Sequence, residues 1–246
     1  MTKLLQLDVG NSAIKWRLVD TQSVLARGSL GLAEVAQLAD LLPAGLQLSA
    51  VWVSSVASEE ANDALAAALQ HSVGLTPWFA RSVARSGTLV NSYHDPTKMG
   101  VDRWVAMLGA RKQHSGALCV VDAGSALTID LVSAKGEHEG GYIIPGPTLM
   151  ERALLLDTDR VRFDEDVDYS LSPGKSTAEA VRHGIALAQA GAVLAIPDLA
   201  ARSLVITGGG GAALAEFVNR EHDLAPDLVF DGLAELARLE GQGDGS

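Results

Sequence analysis

The sequence carries Asp8-Val9-Gly10-Asn11-Ser12 near its start and Asp122-Ala123-Gly124-Ser125-Ala126 near its middle. Each stretch follows an apolar run and precedes a run of alternating polarity, which predicts two strands joined by a tight turn. The two aspartates are 114 residues apart (122 minus 8), close to half of the 246-residue chain. The repeat therefore predicts two duplicated α/β halves, each beginning with a hairpin that carries Asp-x-Gly at its tip.

The first turn has the residue types of an anion-binding turn. Glycine and small hydroxyl side chains let backbone N–H groups approach a phosphate closely. Asp8, at the end of a buried strand, is an oxygen ligand of the kind Mg²⁺ prefers, usually through water. Asn11, Ser12 and Lys15 could contact the terminal phosphates of a nucleotide. An ordinary β-turn has the same composition, but the second copy at Asp122 favours a functional interpretation.

In the second copy, Asp122 could bind a cation or orient a nucleophile. The Ser125 hydroxyl and the Gly124 N–H group are expected to face the phosphates. The glycines Gly208 to Gly211 follow an apolar strand and leave a surface without side chains, on which a base or ribose can lie. The same stretch fits a dinucleotide fingerprint. About 35 residues follow it, too few for the remaining units of such a domain, so that alternative is excluded.

Hydrophobic periodicity and turn residues predict the main elements around these motifs. The predicted strands are 3–7, 14–19, 51–53, 118–121, 127–132 and 204–206. The predicted helices are 62–71, 101–113, one running from the capping box Ser176-Thr177-Ala178-Glu179 towards 195, and one from the glycines through 220. The predicted domains are 1–115 and 116–246, with a disordered tail at 241–246.

The segment from Asn91 to Trp104 is the candidate source of a catalytic base. Asp102 and Arg103 lie where a helix is predicted to begin, and the positive end of the helix dipole keeps a carboxylate ionised and favours an anionic ligand. A kinase needs one carboxylate near the acceptor hydroxyl. The alternative is that Asp102 caps the helix and Arg103 pairs with a surface acid.

Composition limits the function classes. Lys and Arg number 19 against 30 for Asp and Glu, a net charge of −11. Without a basic stripe, nucleic-acid binding is not expected. Hydrophobic residues make up 48% of the chain, enough for a sizeable core. The single cysteine, Cys119, excludes an internal disulfide and is expected to be a small buried hydrophobe. No membrane span or secretory signal is recognised, so the expected location is the cytoplasm.

Taken together, the motifs resemble those of the type III pantothenate kinases, members of the actin/hexokinase-like superfamily. The matching pieces occur in the family's order and span nearly the whole chain: Asp8 to Lys15, Gly100-Val101-Asp102-Arg103-Trp104, Val121 to Thr128, Gly140-Gly141-Tyr142-Ile143-Ile144-Pro145-Gly146, Gly174-Lys175-Ser176-Thr177, Thr207-Gly208-Gly209 and the closing 226–233 stretch. Any one of them is weak evidence, whereas the first six in order, with the closing stretch in addition, are specific.

The resemblance implies a duplicated ribonuclease H-like, actin-like ATPase fold of two lobes with a nucleotide cleft between them. It implies phosphorylation of pantothenate by Mg-ATP, with dependence on a monovalent cation, K⁺ or ammonium, and a homodimer. The implied ATP-binding residues are Asp8, Val9, Gly10, Asn11, Ser12, Ala13, Ile14, Lys15 and Ser125. The implied substrate-binding residues are Tyr93, Gly100, Val101, Asp102, Arg103 and Thr177. Asp102 would be the catalytic proton acceptor and Asp122 the cation ligand.

Other functions remain as alternatives at this point. A non-catalytic, nucleotide-binding regulatory relative would be expected to lack the base or the cation ligand, yet Asp102, Arg103 and Asp122 are all present. A kinase of the same superfamily acting on a sugar or carboxylate is disfavoured by the segment from Tyr93 to Arg103. A filament-forming relative would need the extra length of actin.

Overall fold

The structure, a computed structural model, describes residues 3–43, 45–157 and 161–242. Two compact units divide the chain. Unit 1 contains the described residues up to Gln113 and those from Leu228 onward, and unit 2 is His114–Asp227. The first boundary lies two residues before the predicted one at 115/116, and the C-terminal helix belongs to unit 1 rather than to the second domain. Of the predicted disordered tail, residues 243–246 lie outside the described residues.

Twelve strands are present in the described part of the chain. They are β1 (Leu4–Val9), β2 (Ile14–Val19), β3 (Val24–Leu30), β4 (Ala50–Ser55), β5 (Trp78–Phe79), β6 (Arg85–Ser86), β7 (Leu89–Val90), β8 (Leu118–Ala123), β9 (Ala126–Val132), β10 (His138–Pro145), β11 (Ser203–Thr207) and β12 (Asp223–Leu224).

Seven α-helices accompany these strands in the same described residues. They are α1 (Leu38–Leu41), α2 (Glu59–Val73), α3 (Val101–Gln113), α4 (Pro147–Asp157), α5 (Thr177–Leu194), α6 (Gly211–Val218) and α7 (Leu228–Leu239). Short 3₁₀ turns cover Leu32–Gln37, Pro96–Lys98 and Leu199–Ala201.

The two units contain sheets of the same topology. The order is β3-β2-β1-β4-β5 in unit 1 and β10-β9-β8-β11-β12 in unit 2. In each sheet the first three strands are antiparallel, and the central strand pairs in parallel with the strand on its other side. The predicted duplication is confirmed, and so are the two hairpins that carry the aspartates.

Each central strand is apolar because both faces of its sheet are covered. Leu5 and Leu7 of β1 are fully buried, as are Cys119 and Val121 of β8. The predicted burial of Cys119 is confirmed, and burial raises the pKa of its thiol to about 12. The thiol therefore stays protonated and unreactive at neutral pH.

Most predicted elements are present, with shifted ends. Helix α3 and strand β2 have the predicted bounds. Helix α2 begins three residues before the predicted start, and Ser58 Oγ caps it by accepting a hydrogen bond from Ala61 N at 3.2 Å. Its last residue is Val73, and Gly74, with a positive φ of 75°, forms the C-terminal cap. The predicted capping box of α5 is half formed. Ser176 Oγ accepts from Glu179 N, but the Glu179 carboxylate accepts from Lys175 N.

Helix α7 packs across α3 in unit 1 at two glycines. A Cβ atom added to Gly232 would lie 1.6 Å from Val105 O, and one added to Gly109 would lie 2.5 Å from Leu228 O. The two backbones are therefore in direct contact at the crossing. Asp231, beside the crossing, accepts a hydrogen bond at 2.9 Å from Arg17 of β2, whose guanidinium also lies 5.0 Å from the Phe230 ring. These contacts explain why the C-terminal helix belongs to unit 1.

Gly232→Ala is expected to destabilise the protein strongly, because the new methyl group cannot fit without separating α3 from α7. Overpacking of a close contact costs about 1–3 kcal/mol or more, so we expect a loss of at least about 2 kcal/mol in the free energy of unfolding. Gly184→Ala, in α5, is the matched control, since its added Cβ meets no atom of the described residues within 4 Å. Denaturant unfolding of both variants measures the difference, and equal stabilities would contradict the crossing.

Candidate active site

The first hairpin places Asp8 where three strands of unit 1 meet. Its Cα is in register with Lys15 of β2 and with Ser54 of β4. Gly10 N–H donates to Ala13 O at 3.1 Å and closes the turn. Asp8 is half-buried and Lys15 is exposed. The Ser54 hydroxyl is buried and has no hydrogen-bond partner among the described residues. Because Asp8 and Ser54 are in register, β1 and β4 have neighbouring polar residues near their C-terminal ends.

The other predicted ATP-binding residues of this hairpin divide into two groups. Asn11 and Ser12 form the exposed tip. Val9 and Ile14 are core residues, 3% and 1% exposed. The side chains of Val9 and Ile14 therefore anchor the hairpin in the sheet and are not exposed to a ligand.

The second hairpin repeats this geometry in unit 2. Asp122 is in register with Thr128 of β9 and Thr207 of β11. Gly124 N–H donates to Ala126 O at 3.0 Å, within the turn. This N–H group is therefore not available to a phosphate, contrary to the expectation from the sequence. Ser125, at the tip, is exposed.

The glycine-rich turn after β11 packs directly on this hairpin. Gly208 has a φ of +89°, and an added Cβ would lie 2.3 Å from Asp122 Oδ1 and 2.6 Å from Ala123 O. Gly210 N–H donates to Ala123 O at 2.8 Å. Only glycine allows the backbone to approach the carboxylate this closely. The structure thus brings together the second phosphate motif and the predicted adenosine motif.

The start of α3 carries the predicted acceptor site in unit 1. Asp102 is half-buried, and its Oδ1 accepts a hydrogen bond from Arg103 N at 2.8 Å. An added Cβ on Gly100 would lie 2.5 Å from that oxygen. Arg103 is 5% exposed, and its Nη1 donates to Tyr93 Oη at 2.9 Å. Asn91 fixes this tyrosine by accepting from Tyr93 N at 3.0 Å. Four predicted residues are thus gathered at one helix end.

Val101, the remaining residue predicted there, is the first residue of α3 and is 7% exposed. Thr177 lies elsewhere, as the first residue of α5 in unit 2. It lines an open pocket of about 620 Å³ together with Ser176 and the segment 162–165. Unit 1 therefore holds the Asp8 hairpin and the Asp102 group, and unit 2 holds Asp122, Ser125 and Thr177.

Sequence reasoning missed three residues that shape these sites. Ser54 directly follows the predicted strand 51–53, and its signal is a hydroxyl placed after a buried apolar run. Asn91 opens the segment that was singled out for its acids and bases. Gly146 packs on the second turn, where its N–H donates to Ser125 O at 3.1 Å. Gly146 belongs to a motif whose role the sequence did not indicate.

Metal and membrane signals are limited in the described part of the chain. Among residues 3–43, 45–157 and 161–242, no three His, Cys, Asp or Glu side chains are grouped to hold a metal ion. No helix within these ranges has the length and apolar character needed to cross a membrane.

Comparison with known proteins identifies the family. The family model for type III pantothenate kinase matches residues 4–198. A type III pantothenate kinase of Hahella chejuensis is 36% identical over 235 residues, covering 96% of this chain and 97% of the relative. One from Aromatoleum aromaticum is 39% identical over 240 residues, covering 96% and 98%.

A solved structure agrees on the fold. The crystal structure of a conserved Baf family protein from Campylobacter jejuni covers 98% of this chain and 100% of its own length, with a TM-score of 0.64 at 23% sequence identity. At this identity the likeness concerns the fold alone, and the predicted duplicated actin-like ATPase fold is confirmed. With the family model and the two relatives matched along nearly their full lengths, the chain belongs to the type III pantothenate kinase family.

Proposed function

We propose that this protein transfers the γ-phosphoryl group of ATP to the terminal hydroxyl of pantothenate. The product is 4′-phosphopantothenate, the first committed intermediate of coenzyme A synthesis. Family membership and two full-length relatives named as type III pantothenate kinases support the reaction. The observation that carries it in this chain is the grouping of Tyr93, Gly100, Asp102 and Arg103 at the start of α3.

Asp102 is proposed as the proton acceptor for the pantothenate hydroxyl. Its carboxylate lies in the first turn of α3, where the helix dipole favours a negative charge. Phosphoryl transfer passes through a loose transition state, so the carboxylate orients the hydroxyl and takes its proton late. Oδ1 is held by Arg103 N, which fixes the orientation of the carboxyl group.

Arg103 and Tyr93 are proposed to line the acceptor site with Gly100 and Val101. The guanidinium of Arg103 is the partner proposed for the pantothenate carboxylate, because its planar fork matches a carboxylate. The hydrogen bond from Arg103 to Tyr93 holds that fork in place before substrate arrives. Gly100 leaves room for the Asp102 carboxylate beside it. Thr177 is proposed as a further pantothenate contact.

The two hairpins are proposed to bind ATP. Among residues 8–15 and Ser125, four exposed side chains carry hydroxyl, amide or ammonium groups: Asn11, Ser12, Lys15 and Ser125. This matters in a protein with a net charge of −11, since an anionic nucleotide must be held by local donors rather than by the overall field. The half-buried Asp8 beside the unpartnered hydroxyl of Ser54 fits a hydrated Mg²⁺. When bound, Mg²⁺ neutralises charge on the phosphates.

A monovalent cation, K⁺ or ammonium, is proposed at Asp122. The donors close to it are hard oxygens, the Asp122 carboxylate and the Ala123 carbonyl, both facing Gly208. Oxygen donors of this type suit alkali and alkaline-earth ions. Asp122 and Ala123 would hold the ion, which would add positive charge beside the phosphate motif.

The proposal includes a cytoplasmic homodimer. Large exposed hydrophobic side chains are concentrated on β10, α4 and α5, where α4 contacts both of the other elements. They are Tyr142, Ile143, Leu149, Leu154, Leu156, Leu187 and Leu194. Strand β10 is also the edge of its sheet. Exposed sheet edges and contiguous exposed apolar faces are usually covered. We propose that a second copy of this chain covers the face formed by β10, α4 and α5.

Asp102→Asn is expected to lower the turnover of pantothenate by about 10² to 10⁴-fold, the usual contribution of a general base. The amide oxygen can still accept from Arg103 N, so fold and ATP binding should persist. The assay is ADP release with pantothenate and Mg-ATP, with ATP binding followed by calorimetry. Asp95→Asn is the matched control, because Asp95 lies on the same segment and serves as the cap of a 3₁₀ turn, a role asparagine can fill.

Near-normal turnover of Asp102→Asn would remove Asp102 from the role of base. Absence of pantothenate-dependent ADP release from the wild type, with ATP still bound, would instead favour the non-catalytic regulatory relative.

Asp122→Ala is expected to abolish both activity and cation dependence, because the charged ligand of the proposed cation is removed. Wild-type turnover should be high in K⁺ buffer and collapse in Na⁺ buffer. The midpoint of thermal unfolding supplies a second readout, since K⁺ should raise it for the wild type and not for the variant. Asp198→Asn, at an exposed turn, is the control. An active, cation-indifferent Asp122→Ala protein would reject the cation site.

Ile143→Glu is expected to convert the proposed dimer to a monomer of about 25.6 kDa, because Ile143 is 64% exposed on β10 and a charge there would be buried at the interface. Light scattering after gel filtration measures the mass. Leu25→Glu is the control, since Leu25 is 44% exposed on β3, the edge strand of the other sheet. A wild type that runs as a monomer, or an Ile143→Glu dimer, contradicts this interface.

A further inference from the structure

The segment before α5 is held by the first two turns of that helix. Gly174 packs on the helix backbone, where an added Cβ would lie 2.3 Å from Ala180 N. Lys175 N–H donates to Glu179 Oε2 at 2.6 Å. His183 Nδ1 lies 2.7 Å from Ser172 O, within hydrogen-bond distance. These contacts fold the chain back along α5, so the irregular segment keeps a defined position despite lacking regular secondary structure.

Arg182 extends this attachment to the more distant part of the segment. Its Nη1 lies 2.6 Å from Asp166 Oδ1 and also donates to Val167 O. Its Nε donates to Glu151 Oε2 at 3.2 Å, and its Cζ lies 5.8 Å from the centre of the Tyr169 ring. One guanidinium thus joins α4, α5 and the segment between them.

The contacts of Arg182 differ in strength. Arg182 and Glu151 are 17% and 18% exposed at their side chains, whereas Asp166 is 98% exposed. A partly shielded, two-pronged pair with Glu151 is geometrically specific, and an ion pair with an exposed partner contributes little by itself. Tyr169 Oη donates to Glu151 Oε2 at 3.3 Å, and burial followed by the charge of Glu151 raises the pKa of Tyr169. The Glu151 pair and the backbone bond to Val167 therefore carry most of the anchoring.

The anchored segment forms the wall of the pocket at Thr177. Residues 162–165 line this pocket together with Ser176 and Thr177. Asp166 and Val167, the two residues held by Arg182, follow that wall directly in the chain. Arg182 lies five residues after Thr177 on the same helix, less than two turns away. Arg182 therefore links the helix that carries Thr177 to the chain directly after residues 162–165.

We propose that Arg182 is a positioning residue for the pocket at Thr177: its contacts with Glu151, Asp166 and Val167 hold residues 162–165 in place beside Thr177 and so set the affinity for pantothenate. This inference rests on the proposed function, in which Thr177 contacts pantothenate. Arg182 itself touches neither substrate in this proposal.

The test compares the kinetics of Arg182→Ala, Arg182→Lys and Glu151→Gln with the wild type. The KM for pantothenate is expected to rise at least 10-fold in Arg182→Ala, while kcat and the KM for ATP change less than about 3-fold. Arg182→Lys should give an intermediate value, because an ammonium restores the charge but not the fork. Glu151→Gln should move the KM for pantothenate in the same direction.

Arg202→Ala is the matched control. Arg202 belongs to the same unit and forms its own ion pair, at 2.7 Å with Glu139. It lies on a different pocket, lined by 199–204 and 220–223. Its loss should leave the KM for pantothenate unchanged. A merely structural role predicts another result for Arg182→Ala, either a lower kcat or an equal rise in both KM values that accompanies a loss of thermal stability. Either result overturns the proposal.

Limited trypsin digestion separates this proposal from the proposed function. Cleavage after Arg162 should be faster in Arg182→Ala than in the wild type or Arg202→Ala, because the segment is released. Unchanged cleavage overturns the positioning role even if the kinetics change. A wild type that neither binds nor turns over pantothenate overturns the function, while the digestion still decides whether Arg182 holds the segment.

Discussion

The placement of the candidate base depends on the direct contact between α3 and α7. Gly109 and Gly232 let the two backbones touch, and any side chain at Gly232 would overlap Val105 O. Helix α7 is itself anchored to β2 through Asp231 and the buried Arg17. Since the first turn of α3 contains Asp102 and Arg103, this crossing sets the position of the helix that carries the candidate base and the arginine that donates to Tyr93. A chain segment more than 120 residues further along thus supports the acceptor site of unit 1.

Because of the duplication, both units have the same arrangement of polar residues near the C-terminal end of the central strand, but different segments surround it. In both sheets a carboxylate is the penultimate residue of the central strand and lies in register with a hydroxyl residue of the parallel neighbour, Ser54 for Asp8 and Thr207 for Asp122. The differences follow from the segments that come after those neighbours. In unit 2, Gly208 brings backbone against the Asp122 carboxylate. In unit 1, Ser55 and Asn62 join β4 to α2 by a side-chain hydrogen bond of 2.6 Å. One fold therefore provides two oxygen-rich sites with distinct neighbours.

In the proposed function, local donors rather than net charge hold an anionic nucleotide on an acidic protein. The groups at the hairpin tips are exposed hydroxyl, amide and ammonium groups, whereas the backbone N–H groups of Gly10 and Gly124 are used to close the turns. Composition does not reveal that these N–H groups are bonded within the turns, because a glycine in such a turn is compatible with either a free or a bonded N–H group. The contribution of the turns is thus to orient side chains.

The sequence by itself determined the two hairpins, the bounds of α3, the family and the residues singled out for the sites, because each of these depends on local pattern and on motif order. Tertiary structure decided the rest. Helix α7 was recognised only as a matching stretch, and its packing at Gly109 depends on residues distant in sequence. The partners of Arg182 lie 15 to 31 residues away, on α4 and an irregular segment. Periodicity in the sequence indicates which face of an element is apolar. It does not indicate which carboxylates a guanidinium contacts, because long-range packing brings those carboxylates within reach.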